Sequence, residues 1–260
     1  MVKFVGVINL SPESFYSGSV CRGVDSARIR AKKMIEEGVD IIDVGGMSTA
    51  PYKDTWISEE EELRRVIPVI KELSKLNVPI SIDTTRAKVA EKAVEAGASI
   101  INAVKPSDEI VYVAKRYGVQ IVVVAMEIEW SDSTIISSVV ESLRREVERC
   151  LKGGISRRKV IVDPAIGFWR KHGRWFVRDA CIIANIDKIK AELDMPVMVG
   201  ISRKSFIGQI SGLKNPEDRL VGSVVAEALA VLKGVDYIRT HNVCETRQAV
   251  EMAKFIAKFI

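Results

Sequence analysis

Eight short apolar runs rich in Val and Ile punctuate this chain, and each stops abruptly at a polar or glycine-containing cluster. Residues 4–8 end at Asn9, 41–44 at Gly45-Gly46, 80–82 at Asp83 and 100–101 at Asn102. Residues 121–125 end at Met126-Glu127, 160–162 at Asp163, 197–199 at Gly200-Ile201-Ser202 and 237–238 at Arg239. Apolar runs without alternation mean strands covered on both faces, the condition of a parallel sheet. Longer stretches of helical spacing and dense charge separate them. Eight strand–helix repeats in 260 residues predict an α/β fold, a (β/α)8 TIM barrel that takes up residues 1–260 as a single domain. Such barrels build their sites at the carboxyl ends of the strands, so the residues that end the runs are the candidates for chemistry.

Outer helices are expected over 25–38, from Ser58, over 86–96, 107–117, 135–151, 176–193, 216–233 and 245–259. Ser58-Glu59-Glu60-Glu61 reads as a capping box, with hydroxyl and carboxylate exchanging bonds with first-turn amides. Two strand-to-helix connections, 11–24 and 47–57, are longer than the rest, which is where substrate lids are usually built.

Composition narrows the function classes. No stretch approaches the roughly 20 apolar residues of a membrane span, and the first strand begins close to Met1, so no leader or membrane association is expected. Cys21, Cys150, Cys181 and Cys244 are scattered without close pairing, which excludes a CxxC zinc site and suits a reducing, cytoplasmic setting. Two histidines, His172 and His241, are too few for a His-rich metal centre. The net charge of +5 comes from Lys and Arg interleaved with Glu on most helices, a mixed solvated surface with no basic aromatic stripe for nucleic acid.

Asp83 and Asp163 stand at strand ends facing one barrel mouth. Two such acids can bind a metal, act as acid and base, or clamp a polar heterocycle; either can also merely cap the following helix. Neither has a histidine or second acid at ligand spacing, which argues against a metal. Asn102 adds an amide that donates and accepts, suited to a heterocycle edge. After the seventh run, residues 200–208 combine small residues, Arg203, Lys204 and Ser205 with a helix start, an anion site from amides and dipole; Lys204 can equally donate to a neutral carbonyl. Arg239 and His241 share one side of the last strand by alternation, two cationic or donor groups suited to a pyrophosphate.

Five strings in order resemble the dihydropteroate synthase family. They are Gly6-Val-Ile-Asn-Leu-Ser-Pro-Glu-Ser-Phe15, Asp40-Ile-Ile-Asp-Val-Gly-Gly-Met-Ser-Thr49, Ser81-Ile-Asp-Thr84, Asp163-Pro-Ala-Ile-Gly-Phe168 and Ser202-Arg-Lys-Ser-Phe-Ile-Gly208. The resemblance covers essentially the whole chain. It implies condensation of a dihydropterin-methyl pyrophosphate with an arylamine, releasing pyrophosphate, in folate- or methanopterin-type cofactor biosynthesis. It implies that Asp83, Asn102, Asp163 and Lys204 bind the pterin, with Met126, Gly167 and Phe168 lining its pocket. Asn9, Arg239 and His241 would take the pyrophosphate, and Asn9 a Mg2+ cofactor. Phe15, Thr49, Pro51 and Ser205, with Lys204, would form the arylamine site. Catalysis would fall to Asp83, Asp163, Lys204, Arg239 and His241, and the assembly would be a homodimer.

The chain departs from the family pattern at Met47 and Ala50, where Glu and Arg are usual, and at Ala103, Ala125 and Asn242, where an acid, a His and an Asp are usual. Gly-Phe-Gly-Lys becomes Gly167-Phe168-Trp169-Arg170. These changes lie toward the arylamine side, so the second substrate is expected to be para-aminobenzoate or a larger, sugar-bearing analogue. A pterin-binding methyltransferase domain and a non-catalytic pterin binder are the alternatives.

Overall fold

The computed structural model describes residues 1–12, 16–47, 56–126, 134–168 and 174–259. Eight strands alternate with helices: β1 (Lys3–Asn9), α1 (Val24–Glu36), β2 (Ile41–Gly45), α2 (Glu59–Leu73), β3 (Ile80–Asp83), α3 (Ala87–Glu95), β4 (Ile100–Ala103) and α4 (Asp108–Tyr117). There follow β5 (Gln120–Val124), α5 (Ile135–Lys152), β6 (Val160–Asp163), α6 (Trp175–Ala184), α7 (Ile186–Leu193), β7 (Met198–Gly200), α8 (Ser205–Ser211), α9 (Leu220–Leu232), β8 (Tyr237–Thr240) and α10 (Val243–Ile256). All pairings are parallel, in the order β6-β5-β4-β3-β2-β1-β8-β7. The ring closes between β6 and β7 through a single bridge, Val162 to Val197, with the Val162 amide donating to the Pro196 carbonyl at 2.9 Å. This is the expected eight-stranded barrel.

The strands' inward side chains form tiers. Val5, Ile41, Ile100, Val122, Ile161, Met198 and Tyr237 make a closed apolar cluster inside the barrel, separate from the larger core beneath the helices. Side chains alternate along a strand, so residues two further on share the interior. On β2, β4, β6 and β8 those residues are Asp43, Asn102, Asp163 and Arg239. The register puts Asp83 level with Gly45 and Asn102, and Arg239 level with Val5 and Gly200.

Several helix boundaries differ from expectation. The stretch 176–193 is two helices, because the Asn185 side-chain amide donates to the Cys181 carbonyl at 2.8 Å and Asn185 leaves helical geometry. The stretch from Pro216 begins as a 3-10 turn, Pro216–Arg219, before α9. At α2 only half of the capping box forms: Ser58 Oγ accepts from the Glu61 amide at 3.1 Å, while the Glu61 carboxylate goes to Arg64 and Arg65. Among the described residues no helix is long and apolar enough to cross a membrane.

Candidate active site

Three carboxylates, two cations and one amide gather at the ends of β2, β3, β4, β6, β7 and β8. Arg239 Nε donates to Asp43 Oδ2 at 2.6 Å and its Nη2 to Asp83 Oδ2 at 2.9 Å. Asn102 Nδ2 donates to the same Asp43 oxygen at 3.4 Å. The second oxygens, Asp43 Oδ1 and Asp83 Oδ1, are buried without a hydrogen-bonding partner. An unsatisfied buried acceptor costs about 1–3 kcal/mol, so these two oxygens of the mouth are open to donors. Arg239, expected beside a pyrophosphate, holds two carboxylates through Nε and Nη2.

Asp163 turns toward the same mouth. Its Oδ1 accepts from the Ala165 amide at 2.8 Å, and Ala165 takes a left-handed φ of 62° to allow it. The turn continues to Gly167, φ 79°, whose amide is held by Asp179 Oδ1 of α6 at 3.0 Å. A Cβ on Gly167 would lie 2.5 Å from Lys204 Cδ, so the position must be glycine for the lysine to pass. Lys204 Nζ donates to the Ile166 carbonyl and sits 4.7 Å from the centre of the Phe168 ring. Met126 is fixed from α5, its amide donating to Ser142 Oγ at 2.8 Å. Ser205 opens α8 with its hydroxyl buried and without a hydrogen-bonding partner.

Burial dominates the titration of this cluster. It raises Asp83 to about 7 against the pull of Arg239, with Asp43 and Glu62 adding to the rise. It likewise raises Asp163, opposed by Lys204 and the Ala165 amide. Lys204 falls to about 8, because burial outweighs Asp163 and Asp179. For Arg239 the two aspartates outweigh burial and hold it more firmly protonated. His241 is pushed well below 6.5 by burial and by the charges of Arg239, Arg30, Arg203 and Lys204. It is therefore a neutral imidazole at pH 7, so of the two groups expected on this side Arg239 is the cation and His241 the neutral one.

Asn9, at the end of β1, donates from Nδ2 to Ser19 Oγ at 2.7 Å. A Cβ built on Gly45 would lie 3.7 Å from both Asn9 Oδ1 and Asp83 Cβ, which puts Asn9 on the same rim. The structure thus brings Asn9, Asp83, Asn102, Asp163, Lys204 and Arg239 to one mouth, with the neutral His241 beside its cations. Phe15, Thr49 and Pro51 lie outside the described residues, as do Ala50, Trp169 and Arg170. Of the departures, Met47, Ala103 and Ala125 are buried apolar wall. Asn242 Oδ1 accepts from Arg203 Nε at 3.0 Å and Nη2 at 2.8 Å, so a neutral amide holds that guanidinium.

Asp43 is the member of the cluster that the sequence reading passed over. Its signal was present: a lone carboxylate inside the otherwise apolar Ile41-Ile-Asp-Val44 must be buried, and a buried charge needs a partner.

The family "Pterin binding enzyme" matches residues 5–241. The dihydropteroate synthase of Bacillus subtilis is 37% identical over 97% of this chain and 86% of the relative. That of Clostridium beijerinckii is 35% identical over 98% and 94%. Among solved structures, a Yersinia pestis dihydropteroate synthase in a sulfonamide drug complex superposes with a TM-score of 0.90 at 29% identity, covering 99% of this chain and 94% of that one. A Xanthomonas albilineans dihydropteroate synthase with 4-aminobenzoic acid gives 0.88 at 32% identity, covering 98% and 93%. With the barrel, the mouth and these likenesses together, the chain belongs to the pterin-binding enzyme family and, within it, to the dihydropteroate synthases, which are transferases.

Proposed function

We propose that the mouth binds a dihydropterin-methyl pyrophosphate and joins its methylene to the nitrogen of para-aminobenzoate or a related arylamine. The observation that carries this is the pair of unpartnered oxygens on Asp43 and Asp83, set against Asn102, Asp163 and Lys204. Carboxylate oxygens accept from ring N–H and amino groups, and Lys204 donates to a ring carbonyl. Met126, Gly167 and Phe168 line the apolar side, and Ser205 with Phe15, Thr49 and Pro51 forms the arylamine site.

The carbon–oxygen bond to pyrophosphate breaks, positive charge spreads into the pterin, and the arylamine nitrogen captures the methylene and releases its proton. Asp83 and Asp163 lower the energy of that developing cation, as preorganised charge does. Arg239 and the neutral His241 receive the departing anion. Burial excludes the water that would otherwise quench the cation.

Mg2+ suits Asn9. The Asn9 side-chain oxygen lies on the rim beside Gly45 and Asp83, and Mg2+ takes oxygen ligands while keeping several waters and leaning on substrate phosphates. When bound, it would neutralise pyrophosphate charge.

A homodimer is supported by an exposed apolar stripe on two adjoining helices. Val221, Val225, Leu229 and Leu232 of α9 continue into Met252, Phe255 and Ile256 of α10. Four free thiols agree with a cytoplasmic setting. The test is pyrophosphate release with pterin pyrophosphate, para-aminobenzoate and Mg2+ present or withheld one at a time. Release that needs all three is expected; tight pterin binding without release would overturn the reading in favour of a non-catalytic binder.

A further inference from the structure

Tyr16 lies between two groups of the barrel rim that it has no covalent reason to meet. Its ring stands edge-on to His241, centroids 5.2 Å apart, and the Arg203 guanidinium lies 4.8 Å from the ring centre. Arg203 is itself buried and immobilised: Asn242 takes its fork, and Nη1 donates to the Glu217 carbonyl at 2.5 Å. The same turn is pinned from α1, where Arg30 donates to the Gly18 carbonyl at 3.2 Å and the His241 carbonyl at 3.1 Å. A Cβ on Gly18 would meet the Tyr16 hydroxyl at 2.6 Å, so the ring folds over a position kept bare.

The backbone of Tyr16 then acts on Asn9 through one hydroxyl. Ser19 Oγ donates to the Tyr16 carbonyl at 2.8 Å, and Ser19 is fully buried. A hydroxyl has one hydrogen, so with that hydrogen spent Ser19 Oγ faces Asn9 only as an acceptor. It therefore takes the Nδ2 of Asn9, at 2.7 Å, and the Oδ1 of Asn9 must face away from Ser19. The Cys21 amide, donating to the Asn9 carbonyl at 2.8 Å, keeps the two segments in register.

We infer that Tyr16 and Ser19 are positioning residues that hold the carboxamide of Asn9 with its oxygen outward, setting that corner's affinity for a divalent cation and a phosphate-bearing substrate. The inference rests on the reading of Asn9 as the metal-side ligand.

Binding calorimetry with pterin pyrophosphate, with and without Mg2+ and with no arylamine, separates the cases. Losing one ordering hydrogen bond should weaken Mg2+-dependent binding in Ser19→Ala about five- to tenfold, while binding of hydroxymethylpterin, which has no phosphates, stays unchanged. Tyr16→Leu should weaken it less and in the same direction, and Tyr16→Phe, which keeps the ring, should restore it. Thermal melting of each variant identifies any that fails to fold, and the remaining variant then carries the test. Unchanged Mg2+ dependence in Ser19→Ala, with Asn9→Ala losing it, overturns this inference alone. Unchanged Mg2+ dependence in Asn9→Ala overturns the reading of Asn9 beneath it.

Discussion

The floor and the mouth of this barrel are built from the same strands, two residues apart, and share almost no chemistry. Ile41, Ile100, Ile161 and Tyr237 close the floor; Asp43, Asn102, Asp163 and Arg239 stand on the next inward tier. The floor gains about 1.5–3 kcal/mol for each large aliphatic side chain it removes from water. The mouth spends stability instead: it buries three carboxylates and leaves two of their oxygens without partners. A barrel can carry that cost because its strands are fixed from below and from the helical layer outside.

The largest effect should come from substituting in the mouth. Asp163→Asn is expected to lower kcat/KM roughly a hundred- to thousandfold, the scale of a lost preorganised charge, with thermal stability unchanged or raised. Steady-state pyrophosphate release and a melting curve on the same sample measure both. Two residues back, Ile161→Ala should do the reverse, costing about 2–5 kcal/mol of stability with kcat/KM nearly intact, as read by denaturant titration. If Ile161→Ala lost activity as steeply as Asp163→Asn, the division between floor and mouth would be gone.

A smaller effect sharpens the comparison through pH. Below the ordinary Asp83 value of 3.8, folded and unfolded chains both carry the proton; above it, the folded chain alone keeps it until about 7. The stability this provides is complete below 3.8 and lost as pH rises through about 7. The melting temperature should fall over that interval, while kcat/KM rises as Asp83 ionises. Asp83→Asn should flatten the stability profile. An identical slope in wild type and variant would remove Asp83 as its source.

What the sequence disclosed and what it withheld follow from the range of each interaction. The eight runs were legible because a strand covered on both faces writes its burial into consecutive residues. Asp83, Asn102 and Asp163 were legible because each ends such a run. Asp43 was hidden because it sits inside one, and only its three-dimensional partners, Arg239 and Asn102, make it a member of the site. The break at Asn185 was hidden for the opposite reason: a side chain four residues on captures a helix carbonyl within an otherwise unbroken apolar pattern. The neutral state of His241 depends on burial and on four cations from three separate segments, and no spacing rule brings these together.

Among the described residues the closing seam between β6 and β7 has one bridge and one amide bond beside it. Lys204, from the segment after β7, supplies a stitch by reaching the Ile166 carbonyl beyond β6. A ligand that takes the ammonium of Lys204 for itself removes that stitch while bridging the same gap with its own body. Filling the mouth in that way would exchange one fastening of the barrel for another, at the seam where backbone pairing is sparsest.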